Sequence, residues 1–514
     1  MTSKRYLIGV DLGTSATKAA LYDTDGTLVA ESSVDVPLYY PAPGVVEQEN
    51  ADFYRTAAQT VSACIRESGI DPRQVAGIAF DSQMASVGSI DADYQPAARF
   101  DSWLDMRCQP YIEQIDRDHG EAITRLTGCA PTCDHGPKML WLQHEAPDAY
   151  ARVAKFVMPV AIVVGQMAGL RADQAFIDHT FIHFSALCDA QRGVWSDDLI
   201  SRLGVDAARQ PRIVAPWEIV GEVTESAARD FGLAAGTPIA AGAGDTAAGA
   251  LGAGVVRSGM LLDTAGTASV FAGCTDQFVA DTHHRALLCM RSVIPGLWNP
   301  LAYIAGGGIA LRWFRDEFAG VEGVDHDKLY DALMQGAQNV PPGAEGLLFS
   351  PHLGGRICPA EPSMRGAWVG FSFGHTRDHF FRAILEGIAY EYRYYLDILR
   401  EHITDLSLTE ARVIGGGARS PVWNQIKADV LNVPYQRLNR SEFATWGCAL
   451  IAGHAVGIFP DLTTAAMSTT DSLGKALQPD PACAENYEKA SRRYIAWQKA
   501  FAHTFSQLEN EGAS

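Results

Sequence analysis

Eleven residues near the start, Ile8-Gly9-Val10-Asp11-Leu12-Gly13-Thr14-Ser15-Ala16-Thr17-Lys18, restrict this chain more than any other stretch. An apolar, β-rich run enters an acid, a glycine, two hydroxyls and a lysine without a break. That order suits a buried strand whose following turn meets phosphate. The strand fixes position, Gly13 lets backbone approach a ligand, and the hydroxyls and amides of Thr14 and Ser15 supply donors. Asp11 stands where the strand ends. A carboxylate next to phosphate needs a cation between them, so Asp11 points to Mg²⁺ held largely through waters.

The theme returns about 250 residues later. Met260–Leu262 runs into Asp263-Thr264-Ala265-Gly266-Thr267 and then Ser269–Ala272, again strand, acid, Gly-Thr turn, strand. Gly266 and Thr267 can offer donors to the opposite side of a phosphate chain. Two such modules suggest two related domains closing over one ligand, and 514 residues exceed one ordinary core. A third segment, Val413-Ile414-Gly415-Gly416-Gly417-Ala418-Arg419-Ser420, places three glycines between a short β run and helical spacing at Trp423, Ile426 and Val430. It is either a surface on which a flat ring lies against backbone, suiting adenine or ribose, or a glycine-rich turn alone.

Around these motifs the pattern is α/β. Tyr6–Val10, Lys18–Tyr22 and Leu28–Ser33 predict an antiparallel meander, and the spacing of Phe53, Ala57, Val61 and Cys64 predicts a helix over 52–69. Val75–Phe80 reads as a buried strand and Phe380 to Glu401 as a long amphipathic helix with Ile384, Leu385, Ile388 and Tyr392 on one face. Pro238 to Ala250 reads as a strand, a Gly-Asp turn at Asp245 and an Ala-rich helix, with a domain junction near 252–258.

Lys plus Arg number 41 against 60 Asp plus Glu, a net charge of −19, which argues against nucleic acid or an anionic membrane as partner. A polyphosphate ligand must then be neutralised locally, by Mg²⁺, oriented amides and chosen cations such as Lys18. The ten cysteines are dispersed and read as reduced cytosolic thiols. Cys129 and Cys133 near His135 make one loose Cys-x-x-x-Cys without a second pair, a weak zinc signature. No signal peptide or membrane span is evident, and a cytoplasmic setting is expected.

There is neither a Walker A sequence nor a G-x-G-x-x-G followed by a ribose-binding acid, so P-loop and Rossmann readings lose support. The three segments together resemble the FGGY carbohydrate kinases, from about residue 6 to about 460, and within that family the xylulokinases. Pro43-Gly44-Val45-Val46-Glu47-Gln48 is similar to P-G-W-x-E-Q, Gly77 to Met84 to the G-I-x-x-x-G-Q-M-H loop, and Trp103-Leu104-Asp105-Met106-Arg107-Cys108 to W-N-D-x-R-C. Gly136 to Trp141 is similar to A-P-K-L-L-W, and Arg382 to Tyr390 to R-A-x-x-E-G-x-x-Y.

The resemblance implies an α/β fold of two actin-like (ribonuclease H-like) ATPase domains with a central cleft. The expected division is 1–253, 254–480 and a C-terminal helix over 481–514. It implies ATP-dependent phosphorylation of a sugar hydroxyl, with a pentulose such as D-xylulose first and Mg-ATP bound between the domains. Asp245 falls on the catalytic aspartate, Asp11 on the phosphate and Mg²⁺ acid, and Thr14, Ser15 and Lys18 on γ-phosphate contacts. Gly266, Thr267, Gly308, Arg312 and Gly417 fall on nucleotide contacts, and Gln83, Met84, Trp103 and Asp105 on the sugar side. Asp245 also suits helix capping, Trp103 suits core as well as a sugar platform, and Arg107 suits a local ion pair as well as substrate.

Several positions depart from the family. Ala85 stands for the histidine after Q-M and Leu104 for the asparagine between Trp and Asp, so two polar partners of a sugar have become apolar. Val45 replaces a tryptophan, Gly355 the glutamate of G-E-R, and Met158-Pro159-Val160-Ala161 lacks Lys-Asp after proline. Removing a hydroxyl's partner weakens discrimination for it, which leaves open another acceptor of the ribulose, erythrulose, fuculose, gluconate or glycerol type. A non-catalytic nucleotide- or sugar-binding regulator on the same fold is the alternative from another class. The expected partner is a small-molecule sugar, with no nucleic acid and no membrane, and a homodimer is the assembly to test for.

Overall fold

The computed structural model describes residues 5–319 and 326–512. Positions 1–4, 320–325 and 513–514, parts of the expected domains, lie outside the described residues. The chain divides into two compact units, each assembled from separated segments. The first comprises 1–256, 289–299 and 442–470, and the second 257–288, 300–441 and 471–514.

The first unit is built on a seven-stranded sheet. Its order is Ile219–Glu222, Pro238–Ala240, Val75–Ser82, Tyr6–Leu12, Ala16–Asp23 and Leu28–Asp35, with Ala243–Gly244 also pairing Val75–Ser82. The first three strands in sequence form the expected antiparallel meander, and Tyr6–Leu12 pairs Val75–Ser82 in parallel. Covered on both faces, Tyr6–Leu12 carries an almost unbroken apolar run rather than an alternating one. One cover is the Asn50–Ser68 helix, which buries Phe53, Ala57, Val61 and Cys64 at helical spacing. That helix stops at Gly69, whose left-handed φ of 65° lets its amide reach Ile65 O at 3.2 Å.

The other cover comes from far along the chain. The Phe443–Ala455 helix lies so close to the sheet that a Cβ on Gly9 would sit 1.8 Å from Thr445 O. It meets the Asp245–Gly252 helix equally closely, since a Cβ on Gly447 would sit 2.0 Å from Ala248 O. Small residues let these backbones touch, and the Ala-rich sequence of 245–252 follows from that approach.

The second unit repeats the plan. Met260–Ala265 pairs Ser269–Gly273 antiparallel and Glu410–Ile414 in parallel, with Tyr435–Arg437 beyond Glu410–Ile414 and residues 301–304 beyond Ser269–Gly273. The long helix Arg377–His402 buries Ile384, Leu385, Ile388 and Tyr392, the expected face. Its R-x-x-x-E-x-x-x-Y pattern is a structural ladder. Arg382 Nε donates to Glu386 Oε1 at 2.7 Å, Tyr390 OH donates to Glu386 Oε2 at 3.2 Å, and Arg382 Nη2 donates to Tyr487 OH at 2.6 Å. Tyr487 belongs to the final helix, Ala484–Gly512, which this buried network ties to the unit. Among the described residues no helix is long and apolar enough to cross a membrane.

Candidate active site

Strand register assembles the acids of the first unit. Asp11 lies opposite Asp81 in the parallel pair, and Ala243 lies opposite Asp81 from the other side. Asp245, two residues beyond Ala243 and first in its helix, therefore arrives at the same C-terminal edge of the sheet. Loss of solvent pushes the Asp11 carboxyl up, against the pull of Asp81 and Lys18. Burial, with the charge of Asp11 added, holds Asp81 well above the carboxylate range and pushes Asp245 up to about 7. Sequence inspection gave Asp81 no role, because its place between the other two depends on register.

Asp245 is held from two directions. Its Oδ1 accepts from the amide and hydroxyl of Thr246 at 2.5 and 3.1 Å. The cap position itself belongs to Gly244. The Gly244 amide donates to Thr180 Oγ1 at 2.8 Å, and the Thr180 hydroxyl donates to Asp178 Oδ1 at 2.6 Å. Thr180 and Asp178 were not anticipated, since their sequence neighbourhood shows no motif.

The turn after Asp11 is tight, with the Gly13 amide donating to Ala16 O at 3.1 Å and Val36 N donating to Ser15 O at 2.9 Å. Ser15 is exposed. Lys18 Nζ pairs with Glu442 at 3.0 Å, and Glu442 immediately precedes the Phe443–Ala455 helix, whose Cys448 thiol donates to Asp81 Oδ2 at 3.0 Å. Both late residues reach the site only because their helix covers the first sheet.

Gln83, Trp103 and Thr14 are brought together. Thr14 Oγ1 donates to Gln83 Oε1 at 3.3 Å, Gln83 Nε2 donates to Gln48 Oε1 at 2.7 Å, and Gln48 Nε2 returns to Thr14 O at 3.1 Å. The Trp103 indole N–H donates to Thr14 Oγ1 at 2.8 Å, joining the expected sugar side to the turn after Asp11. Met84 packs on Gly244, where a Cβ would meet its Cε at 2.6 Å. Ala85, in the histidine position, adopts a left-handed φ of 57°, uncommon for a residue with a side chain. Asp105 is fully buried. Its Oδ2 accepts from Val46 N at 2.8 Å and its Oδ1 from Arg107 N at 2.9 Å. Arg107 also pairs with Glu47 at 2.9 Å and lies 4.4 Å above the Trp141 ring, so the local ion pair is its observed state.

In the second unit the glycine turns converge. Gly308 N donates to Gly266 O at 3.0 Å and Ile309 N to Thr267 O at 2.9 Å, while a Cβ on Gly415 would sit 2.9 Å from Ala265 O. Gly417 is wedged between Ala265 and Trp423, and Gly416 has open space around it. Arg312 lies one turn into the Gly308–Phe318 helix. Beneath these turns Asp263 and Lys427 form a fully buried ion pair at 2.5 Å, with Tyr392 OH donating to Asp263 Oδ1 at 2.8 Å. Among the described residues no group of three or more His, Cys, Asp or Glu side chains is arranged to hold a metal ion, the Cys129, Cys133 and His135 neighbourhood included.

Comparison with known proteins agrees with this architecture. The N-terminal domain of the FGGY family of carbohydrate kinases matches residues 6–252, and its C-terminal domain matches residues 262–456. A xylulose kinase of Bacillus subtilis is 28% identical over 502 residues, 97% of each chain. A gluconokinase of the same organism is 27% identical over 526 residues, covering 99% of this chain and 97% of that one. The crystal structure of a xylulose kinase from Rhodospirillum rubrum aligns with a TM-score of 0.88 and 26% identity over 98% of this chain and 100% of that one. With both domains matched over most of its length, the chain belongs to the FGGY family of carbohydrate kinases and is a sugar-phosphorylating enzyme.

Proposed function

We propose that this kinase transfers the γ-phosphoryl group of ATP to a hydroxyl of a pentulose such as D-xylulose, with Asp245 as general base. The observation that carries the role of Asp245 is its environment. A carboxyl pushed up to about 7 by burial and by Asp11 is matched to taking a proton from an alcohol near neutral pH. Phosphoryl transfer needs mainly alignment and charge stabilisation, so Asp245 orients the acceptor hydroxyl and receives its proton as the new O–P bond forms. Thr180, through Gly244, fixes the backbone from which Asp245 projects.

Gly13, Thr14, Ser15 and Lys18 supply donors and charge for phosphates, as do Gly266 and Thr267. Gly308, Arg312, Gly415, Gly416 and Gly417 receive the nucleoside end. Gln83, Met84, Trp103 and the turn held by Asp105 form the acceptor side, where the Trp103–Thr14 bond couples acceptor and phosphate positions. Asp11 would hold Mg²⁺ through water; an all-oxygen donor in a crowded acidic edge fits a hard, hydrated cation, which would neutralise phosphate charge. A cytoplasmic setting, supported by ten cysteines with no disulfide between them, and a homodimer complete the proposal.

A pentulose is favoured by the xylulose kinase relative at 28% identity, and gluconate is the second candidate because the gluconokinase stands at 27%. The test is ADP release by purified protein with MgATP across ketoses, aldoses, polyols and gluconate, repeated with Asp245→Asn. One pentulose should dominate in kcat/KM, and the variant should lose about 10² to 10⁴-fold in kcat while still binding ADP by calorimetry. Preferential use of gluconate would replace the pentulose assignment. A variant retaining full turnover would remove Asp245 from the base role.

A further inference from the structure

Two thiols from separate segments of the first unit meet beside the acceptor turn. The sulfurs of Cys108 and Cys133 lie 3.6 Å apart. Cys108 is buried and stands at the start of the Gln109–Thr127 helix, while Cys133 keeps partial solvent access just ahead of the His135–Glu145 helix. From that second helix the fully buried Lys138 ammonium donates to Asp101 Oδ1 at 2.6 Å, Ser102 O at 2.8 Å and Asp105 O at 3.0 Å. The Cys133 thiol donates to the same Asp105 O at 2.7 Å, so sulfur and ammonium share one carbonyl.

The two sulfurs are chemically unequal. The hydrogen bond from Cys108, followed by the Lys138 charge, lowers the Cys133 thiol against the effect of its burial. The same bond, together with burial, drives Cys108 up and keeps its proton on. A thiol made more acidic beside a cation, partly open to solvent and next to a second thiol has the parts of a reactive cysteine and its resolving partner.

We propose that Cys108 and Cys133 form an oxidisable dithiol that takes hydrogen peroxide as co-reactant, and that its closure to a disulfide weakens sugar binding at the adjoining 101–108 turn. The Cys133 thiolate attacks one peroxide oxygen, the O–O bond breaks, and the departing hydroxide takes a proton to leave as water. Cys133 is then a sulfenic acid. The Cys108 sulfur attacks it, the S–O bond breaks, and the second oxygen leaves as water with the Cys108 proton. Two thiols lose two electrons and one peroxide becomes two waters. To close, the sulfurs must move from 3.6 Å to about 2.05 Å, and Cys133 must give up its bond to Asp105 O. Asp105 braces the turn whose Trp103 holds Thr14, so the displacement reaches the acceptor side. The effect on sugar rests on the proposed acceptor site; the thiol chemistry does not.

The experiment treats full-length, reduced protein with hydrogen peroxide, maps peptides by mass spectrometry without reductant, and measures steady-state kinetics before and after. The expected result is a 108–133 cross-linked peptide that dithiothreitol reverses, with sugar KM rising by about tenfold and ATP KM unchanged. Cys108→Ser should trap a dimedone-reactive sulfenic acid at Cys133, and Cys133→Ser should leave Cys108 unlabelled. The wild-type peptide map decides the cross-link even where a serine variant fails to fold. Oxidation of Cys133 to sulfinic acid without a cross-link overturns the dithiol, and a cross-link with unchanged sugar KM overturns its control of the turn. Failure to phosphorylate any sugar refutes the proposed substrate class instead, and the cross-link still reads out by mass.

Discussion

Replacing Lys427 by methionine tests the deepest electrostatic feature of the second unit. Lys427 Nζ and Asp263 Oδ2 are 2.5 Å apart with both side chains fully buried, and the ammonium also sits 3.7 Å from the centre of the Trp423 ring. Lys427→Met leaves the Asp263 carboxylate in the interior without its cation, with the Tyr392 hydroxyl donating to it at 2.8 Å. An uncompensated buried charge of this kind costs about 3–5 kcal/mol. The double variant Asp263→Leu/Lys427→Met removes both charges and leaves the Tyr392 hydroxyl to be satisfied, a cost of about 1–3 kcal/mol. It should therefore be more stable than Lys427→Met alone. Urea unfolding followed by tryptophan fluorescence measures the wild type and both variants, and Trp423 reports from the pair itself. Because Trp423 backs Gly417, where a Cβ would lie 2.6 Å from its ring, Lys427→Met should also raise ATP KM while sparing sugar KM. A single variant costing less than about 1 kcal/mol, or a double variant no more stable than the single, would refute the assignment of a charge that depends on its partner.

Gly9→Ala drives a methyl to 1.8 Å from the Thr445 carbonyl, a backbone atom that cannot swing aside, and should cost at least about 1–3 kcal/mol in thermal denaturation; an unchanged midpoint would mean the helix is not seated on the strand there. Thr180→Val deprives the Gly244 amide of its acceptor, and should lower kcat by about tenfold with ATP KM unchanged, read by the ADP-release assay. Equal effects on kcat and on ATP KM would count against a role specific to Asp245. Burial pushes the Glu391 carboxyl up, but Arg356 and His352 outweigh it and hold it down at about 2, below the ordinary 4.5. A depressed folded value stabilises fully above 4.5 and less and less as pH falls toward 2, so the stability gap between wild type and Glu391→Gln should narrow across that window in melting curves. A gap constant with pH would show that the carboxylate is not the stabilising form.

Local pattern made much of the molecule legible. The strand over 6–12 and its repeat over 260–265 show as apolar runs ending in an acid and a Gly-Thr turn, because a fully covered strand has no polar face to alternate with. The helix over 50–68 shows through its 3.6-residue spacing. The motif of Arg382, Glu386 and Tyr390 was equally visible, although its meaning as a ladder toward Tyr487 was not. Arg107 was left between substrate and ion pair, and the structure shows it paired with Glu47 and Asp105, each at 2.9 Å.

By itself the sequence determined many of the elements, the acid-Gly-Thr turns at Asp11–Lys18 and Asp263–Thr267, and the kinase family they resemble, since these depend on neighbours within a few residues. Tertiary structure alone decided that Asp81 stands between Asp11 and Asp245, that Glu442 and Cys448 return to the first unit, and that Cys108 meets Cys133. Parallel register and the seating of a helix on glycine backbone bring together residues tens to hundreds of positions apart, and no local periodicity encodes those distances.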